Sequence, residues 1–213
     1  MRARGVMFDA GGVLIGPVGG RWNPRYDFEG IVLAHHPGAG SFEDAIAAGQ
    51  RLLDESPTTP ERVEYHRVML AALGIGEPSA RLLDELEAPA AGPVVEVFPD
   101  VRRTLDRLQA EGVRMSVVSD SWAGLVRIFE SLDLARYFRG FAISEVLGCN
   151  KPDPRMYAEG RRLLGLEPRE CLFIDDDPAL VAAARALGFQ GLTLDRSAAA
   201  ASGTVITTLD QLP

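Results

Sequence analysis

Two apolar runs in this chain each end at a carboxylate, and this pattern constrains the fold more than any other feature of the sequence. Residues 5–8 (GVMF) stop at Asp9, and residues 171–174 (CLFI) stop at Asp175. Short apolar runs of this length are typical of strands that are buried on both faces. Because open α/β sheets bind ligands beyond the carboxyl ends of their strands, both carboxylates are expected to face one crevice.

The carboxyl-terminal half of the chain alternates helical and strand patterns. Helices are predicted, from apolar residues at helical spacing, over 101–111, 122–132, 156–164 and 178–187. Short strands are predicted at 113–118 and near Gly191 and Val205. This alternation predicts an α/β fold with a doubly wound parallel sheet, a Rossmann-like core.

Residues 16–95 interrupt the alternation and are expected to form a small helical domain inserted into the core. The core then comprises residues 1–15 and 96–213. The insertion begins with a glycine- and proline-rich segment and then becomes helical. Ser41 is predicted to cap one of its helices, and Pro60 is predicted to lie in the first turn of another.

Lysine occurs once in the chain, at Lys151, whereas arginine supplies the other 21 of the 22 basic residues. Arginine serves well on most of a protein surface, so a solitary ammonium group indicates a place that needs a compact point charge. A phosphate bound next to carboxylates is such a place. The alternative is an ordinary solvated lysine that the sequence has retained by chance.

Asp175, Asp176 and Asp177 form an acidic triplet that requires compensation. Adjacent carboxylates repel one another unless a cation or hydrogen-bond donors lie close, and hard oxygen ligands of this kind suit magnesium. Alternatively, the triplet is solvated and caps a helix that starts at Pro178.

Ser119 closes a mostly apolar segment just before a helical pattern, so it is expected at a helix amino terminus. Unsatisfied backbone N–H groups there favour an anion, and the serine hydroxyl would add one more donor. The alternative for Ser119 is plain capping of that helix.

Charge and hydropathy exclude some classes of partner. A net charge of −8 argues against nucleic acid and anionic membranes as ligands. The sequence contains neither a stretch of about 20 apolar residues nor an apolar signal core, so we expect a cytoplasmic enzyme. Nothing in the sequence indicates an oligomeric state.

Four segments together resemble the motifs of the haloacid dehalogenase-like hydrolases, in the order that this family uses. They are residues 8–14 (FDAGGVL), 117–121 (VVSDS), 151–154 (KPDP) and 173–176 (FIDD). Each segment alone is a weak signal, but four in order, with the only lysine in the third, are specific. The resemblance implies a magnesium-dependent phosphatase with an aspartate nucleophile, and a helical cap domain at residues 16–95.

The resemblance also implies catalytic and substrate-binding roles. Asp9 would be the nucleophile, and Ser119 and Lys151 would complete the catalytic set. A small phosphorylated metabolite would contact Ser119, Asp120, Lys151 and, from the insertion, Arg25. Further candidate contacts in the insertion, for which packing or a surface position is the alternative, are Trp22, Tyr26, His35 and His36.

The cofactor implied by the resemblance is Mg²⁺. Its ligands would be the carboxylates of Asp9, Asp175 and Asp176, together with the backbone carbonyl of Gly11. The carbonyl role does not depend on the side chain, so glycine at this position is compatible with it.

The chain departs from the family pattern at two positions. Gly11 occupies the place where the family's phosphatases carry a second aspartate, which protonates the leaving group. Leu180 replaces a polar residue near the metal, and Asp177 is the candidate substitute. We therefore expect a slow phosphatase. The alternatives are a silent scaffold that binds a phosphorylated ligand or a protein partner and, less favoured, a haloacid dehalogenase.

Overall fold

The computed structural model describes residues 3–18, 27–88 and 95–212. Its strands are β1 (Gly5–Phe8), β2 (Ile15–Pro17), β3 (Val95–Val97), β4 (Arg114–Ser119), β5 (Phe141–Ile143), β6 (Cys171–Asp175), β7 (Gln190–Leu194) and β8 (Val205–Ile206). Its helices are α1 (Phe28–His35), α2 (Phe42–Glu55), α3 (Arg62–Ala72), α4 (Ala80–Glu87), α5 (Val101–Ala110), α6 (Leu125–Ser131), α7 (Ser144–Leu147), α8 (Pro154–Leu164) and α9 (Pro178–Ala186). None of the helices in these ranges has the length and apolar character needed to cross a bilayer.

Six strands form one sheet in the order β5-β4-β1-β6-β7-β8, and every neighbouring pair runs parallel. The predicted α/β fold with a parallel, Rossmann-like sheet is confirmed. β1 lies in the interior of the sheet, with β4 on one side and β6 on the other. β2 and β3 pair separately as a two-stranded ribbon.

Consecutive residues of β1 bury opposite faces of this sheet, as the alternation of side chains along a strand requires. Met7 belongs to the apolar cluster that includes Tyr157 of α8 and Phe173 of β6. Phe8 contacts Phe138 edge to face on the other side, with ring centroids 6.2 Å apart. Burial on both faces explains why β1 is a continuous apolar run.

α8 packs unusually close to the sheet because Gly160 has no side chain. A Cβ atom at this position would lie 2.4 Å from a methyl group of Val118. α8 contacts both β4 and β5. α8 begins just after Lys151, where the Asp153 carboxylate caps the helix by accepting the Arg155 N–H at 2.9 Å.

The chain divides into two compact units. One comprises Met1–Ile15 and Val97–Pro213, and the other comprises Gly16–Glu96. The first unit contains the six-stranded sheet. The helices α1 to α4 belong to the second.

The second unit has its own buried centre. The ring of Phe28 packs edge to face on Phe42, with centroids 6.1 Å apart, and stacks on His66 with centroids 6.2 Å apart. His66, which is buried in α3, places Nδ1 2.5 Å from Oε1 of Glu87. These contacts assign His66 a structural role.

Some helix boundaries differ from the sequence predictions. The Ser41 hydroxyl accepts a hydrogen bond from the Asp44 N–H at 3.2 Å, so the predicted cap of α2 is present. α3, however, begins at Arg62, so Pro60 precedes the helix instead of lying in its first turn. α6 begins at Leu125, three residues later than its apolar spacing predicts.

Candidate active site

Three neighbouring strands of the sheet end close together at its carboxyl edge. Phe8 of β1 is level with Ile174 of β6, so the next residues, Asp9 and Asp175, come level with one another. The Asp9 N–H donates to the Ile174 carbonyl at 2.9 Å, which continues the ladder by one residue. The parallel register therefore brings together two carboxylates that are far apart in sequence.

The ammonium group of Lys151 lies between these two carboxylates. Its Nζ atom donates to Oδ1 of Asp9 at 2.7 Å and to Oδ2 of Asp175 at 2.7 Å. The Lys151 backbone N–H donates to Oδ1 of Asp120 at 2.9 Å. Lys151 is only 8% exposed, so the alternative of an ordinary surface lysine is wrong.

The charges around Lys151 are crowded and unbalanced. Burial raises the pKa of Asp9 to about 7, because the repulsion from Asp175 and Asp176 adds to desolvation and outweighs the attraction of Lys151. Burial, together with the charge of Asp175, also raises the pKa of Asp176. Desolvation would lower the pKa of Lys151, but Asp9, Asp175 and Asp120 reverse this and raise it. One permanent cation thus faces several carboxylates.

Removing the cation at residue 151 should destabilise the fold. We expect Lys151→Met to lower the free energy of unfolding by about 3–5 kcal/mol, because it leaves Asp9 and Asp175 buried without their partner. Lys151→Arg should not restore stability, since a planar guanidinium cannot take the place of a compact ammonium. Urea unfolding measures the difference.

The loss of stability in Lys151→Met should depend on pH. The folded-state pKa of Asp9 is already raised to about 7 by burial, and loss of the Lys151 charge would raise it further, so the stability of Lys151→Met should rise as the pH falls and Asp9 takes up a proton. Arg162→Met, which removes an exposed pair with Glu159, is the matched control and should change little. An equally small change in Lys151→Met would contradict the buried-pair interpretation.

Asp176 completes a group of three carboxylates. Among the described residues, Asp9, Asp175 and Asp176 each offer an oxygen, and these oxygens lie within 4.8 Å of one another. Both oxygens of Asp175 already accept hydrogen bonds, Oδ2 from Lys151 and Oδ1 from the Asp177 N–H at 2.9 Å. Asp9 and Asp176 are therefore better placed than Asp175 to offer an oxygen to a metal ion.

Asp177 serves as a helix cap and does not join this group. Its Oδ1 atom accepts a hydrogen bond from the Ala179 N–H at 2.7 Å, and Pro178 is the first residue of α9. The capping alternative for the acidic triplet thus holds for its third member. Leu180 packs against the core, so it offers no polar group here, and the candidate substitution by Asp177 stays a prediction.

The turn after Asp9 depends on Gly12. This residue has φ of 71°, which side chains rarely adopt, and a Cβ atom here would lie 2.0 Å from Oδ2 of Asp176. The Gly12 N–H donates to the Ile15 carbonyl, and the Ile15 N–H donates to the Ala10 carbonyl, both at 3.0 Å. Gly11 is not among the positive-φ residues of the described chain, so the conformational need for glycine falls on Gly12.

Ser119 ends β4 at the same edge of the sheet as Asp9. It is only 4% exposed, and its hydroxyl has no hydrogen-bond partner within the described part of the chain. The expected position at a helix amino terminus is wrong, because α6 begins only at Leu125. Ser119 therefore presents a hydroxyl without the support of a helix dipole. Burial raises the pKa of the neighbouring Asp120 carboxyl.

The candidate contacts in the insertion are only partly described. His35 lies in α1 and places Nε2 3.0 Å from Oε2 of Glu85, and His36 follows the helix. This pairing gives His35 a partner within its own unit. The candidates that fall outside the described residues are Trp22, Arg25 and Tyr26.

Sequence reasoning missed Arg196, which contacts the turn after Asp9. Its guanidinium donates to the carbonyl oxygens of Gly12 and Val13. No motif surrounds Arg196, and 184 residues separate it from Gly12. No local signal in the sequence could have indicated this contact.

The parallel sheet places this chain among the Rossmann-like α/β proteins. Its charged crevice, with a lysine between two carboxylates, lies at the carboxyl edge of that sheet. A family model described as haloacid dehalogenase-like hydrolase matches residues 3–188. The chain belongs to this family, and the membership predicted from its four motifs is confirmed.

Individual relatives are similar to parts of the chain. "Phosphoglycolate phosphatase 1" of Pseudomonas aeruginosa is 34% identical over 134 residues, which cover 60% of this chain and 49% of that protein. "Glyceraldehyde 3-phosphate phosphatase" of Methanopyrus kandleri is 32% identical over 84 residues, 37% of this chain and 34% of that protein. The chain thus spans about half or less of the length of these curated relatives.

Solved structures match over more of the chain. The 2-haloacid dehalogenase from Pseudomonas syringae pv. Tomato DC3000 has a TM-score of 0.67 and 26% identity, covering 100% of this chain and 97% of that one. The HAD phosphatase from Thermococcus onnurineus has a TM-score of 0.63 and 17% identity, with coverage of 100% and 96%. At 17% identity, the similarity to the Thermococcus onnurineus structure shows only a shared fold.

Proposed function

We propose that this protein is a magnesium-dependent phosphatase of small phosphorylated metabolites, with Asp9 as its nucleophile. The observation that carries the proposal is Lys151, whose Nζ atom lies 2.7 Å from both Asp9 and Asp175 at the carboxyl edge of the sheet. A buried ammonium at this place neutralises the nucleophile's surroundings and can attract a phosphoryl group. The names of the curated relatives, both phosphatases of small phosphorylated metabolites, support the same class of substrate.

The acidic group fits a hard divalent cation. It supplies only carboxylate oxygens, which is the ligand type that Mg²⁺ prefers. Burial, together with repulsion between the carboxylates, raises the pKa values of Asp9 and Asp176, and a bound cation would offset both effects. Asp9 and Asp176 would hold the ion directly with the Gly11 carbonyl, while Asp175 would hold Lys151. Bound Mg²⁺ would supply charge neutralisation and Lewis acidity.

The side chains of the chain itself define the reaction steps. The Asp9 carboxylate attacks phosphorus, the bond from phosphorus to the leaving oxygen breaks, and an aspartyl-phosphate forms. Lys151 and the free hydroxyl of Ser119 donate to the phosphoryl oxygens as charge develops on them. Water then attacks phosphorus and the bond from phosphorus to the Asp9 oxygen breaks, which releases inorganic phosphate and restores the Asp9 carboxylate. The proton that the water gives up to solvent balances the one that the departed oxygen takes from solvent.

Gly11 supports a second candidate function. It cannot protonate a leaving group, and general acid–base catalysis typically contributes about 10²–10⁴-fold. A chain without this group could bind a phosphorylated ligand and turn it over very slowly, or not at all. The dehalogenase alternative is weaker, because that reaction has no use for the acidic group of Asp9, Asp175 and Asp176.

Substrate selection is assigned to the helical unit Gly16–Glu96, including Arg25. The names of the relatives make phosphoglycolate and glyceraldehyde 3-phosphate the first substrates to assay. p-Nitrophenyl phosphate should be measured beside them because its leaving group departs without a proton.

The proposal is tested by hydrolysis assays with Mg²⁺ and with a chelator, combined with a substitution in the acidic triplet. Asp176→Ala should abolish the Mg²⁺-dependent hydrolysis and weaken Mg²⁺ binding in calorimetry by at least about 10-fold, because it removes a direct ligand. The fold should persist, since the change removes a carboxylate whose pKa is raised by burial and by the charge of Asp175.

Asp177→Ser is the matched control for Asp176→Ala. Serine is also a good helix cap, so it should preserve the start of α9 and leave the metal group intact. Equal loss in the two variants would mean that the effect comes from helix capping. Wild-type hydrolysis that is unchanged by the chelator would overturn the magnesium proposal, and chloride release from a 2-haloacid would favour the dehalogenase.

A further inference from the structure

Arg196 follows β7 and reaches across to the turn after Asp9. Its Nε atom donates to the Gly12 carbonyl at 3.0 Å, and its Nη2 atom donates to the Val13 carbonyl at 2.7 Å. Two donors on one edge of the guanidinium thus hold two consecutive carbonyl groups. Lysine could not reproduce this arrangement, because its donors converge on a single nitrogen.

Asp100 anchors the other side of the guanidinium. Nη1 of Arg196 donates to Oδ2 of Asp100 at 2.9 Å, and the same oxygen accepts from the Thr208 hydroxyl and the Leu209 N–H, both at 2.8 Å. Burial alone would raise the pKa of Asp100, but these hydrogen bonds, led by the one from Arg196, outweigh it and lower the pKa. The anchor therefore stays ionised.

Phe98 supports the plane of the same group. The central carbon of the Arg196 guanidinium lies 4.0 Å from the centroid of the Phe98 ring, a distance at which stacking is favourable. The Arg196 side chain is 23% exposed and that of Asp100 is 5% exposed. The guanidinium is thus fixed from its face and from two of its edges.

The carbonyl groups that Arg196 holds belong to the segment on which the acidic group depends. Gly12 lies against Asp176 so closely that a Cβ atom would come within 2.0 Å of its Oδ2 atom. A shift of Gly12 toward Asp176 would displace that carboxylate, and a shift away would open a gap beside it. The position of residues 12 and 13 therefore sets the spacing between the Asp9 turn and Asp176.

We propose that Arg196 is a positioning residue that holds the turn from Asp9 to Val13 in place beside Asp176. It acts through backbone carbonyl groups, since its guanidinium contacts Gly12, Val13, Asp100 and Phe98. Its effect on metal binding rests on the proposed function, whereas its effect on the turn does not. The two effects can therefore be measured separately.

The first measurement is hydrogen–deuterium exchange of the metal-free protein. Arg196→Lys should speed exchange of the Gly12, Leu14 and Ile15 amides, whose hydrogen bonds close the turn, while exchange in the strands β4 and β6 stays unchanged. Unchanged exchange in the turn would overturn the proposal. So would a uniform increase over the whole sheet, because that pattern reports global destabilisation.

The second measurement is Mg²⁺ affinity by calorimetry, with kcat and KM for p-nitrophenyl phosphate. Arg196→Lys should weaken Mg²⁺ binding by about 10–100-fold, the usual scale for residues that orient metal ligands, and should lower kcat more than it changes KM. Asp100→Asn should shift both quantities in the same direction by less, since the anchor is weakened but remains.

Arg185→Lys is the matched control. Arg185 also donates through Nε and Nη2 to a backbone carbonyl, that of Gly191, but it contacts nothing in the acidic group. Arg185→Lys should leave the Mg²⁺ affinity and the hydrogen–deuterium exchange of the Gly12, Leu14 and Ile15 amides unchanged. A wild type that binds no Mg²⁺ would overturn the proposed function alone. A wild type that binds Mg²⁺ together with an Arg196→Lys variant of equal affinity would overturn the role of Arg196.

Discussion

Asp9→Asn should reduce the hydrolysis of every phosphate ester to a level near background, a loss on the order of 10⁴-fold or more. The reason is that an amide cannot attack phosphorus to form the covalent intermediate, and loss of a covalent nucleophile can cost up to about 10⁶-fold in other enzymes. The amide has nearly the same shape as the carboxyl group. Steady-state kinetics with nitrophenyl phosphate measures the loss.

Folding stability separates this chemical effect from damage to the structure. Asp9 is a buried carboxylate whose pKa is raised to about 7, so its charge opposes folding at neutral pH, and the asparagine variant should unfold at no lower a urea concentration than wild type. Asp133→Asn changes an aspartate whose side chain is 64% exposed and pairs with Arg136, so this variant should retain full activity. Residual turnover in Asp9→Asn close to wild type would assign the nucleophile elsewhere.

Gly11→Asp should raise kcat/KM for alkyl phosphates by about 10²–10⁴-fold, because it restores a group that can protonate the departing oxygen. The gain should be much smaller for nitrophenyl phosphate, whose leaving group needs no proton. The backbone permits the change, since the positive φ of this turn lies at Gly12. The readout is the ratio of the two gains.

Gly11→Asn is the control for this substitution, because it has the same size as aspartate and cannot transfer the proton. Only the aspartate variant should show the selective gain. If wild type already hydrolyses alkyl phosphates as fast as nitrophenyl phosphate, another group supplies the proton. Asp120 is then the first candidate, since burial raises its pKa and its carboxylate accepts the backbone N–H of Lys151.

The strands that form the centre of the sheet could be predicted from local sequence. β1 and β6 are each buried on both faces, so each appears as an uninterrupted apolar run, and the carboxylate that follows marks the edge of the sheet. Lys151 could be singled out because it is the only lysine. These signals were sufficient to identify the sheet and the family.

Features set by tertiary contacts could not be predicted in this way. The apolar spacing from Trp122 predicts a helix, yet α6 begins at Leu125, because the Ala123 N–H donates to Glu145 at 2.6 Å and the Ser121 N–H donates to Ser144 at 2.9 Å. Such bonds hold the preceding loop out of the helix. Arg196 escaped prediction for the same reason, since its acceptors lie at the opposite end of the sequence.

The interior position of β1 has a consequence for synthesis of the protein. β1 leaves the ribosome before its neighbours β4 and β6, which follow only after more than 100 residues, and Lys151 is 142 residues away from Asp9. Until then the nascent chain exposes an apolar strand with two unpaired edges, which is a target for chaperones and for aggregation. We therefore expect translation products that stop before β4 to be insoluble, and the charged crevice to form only after β6 has been synthesised.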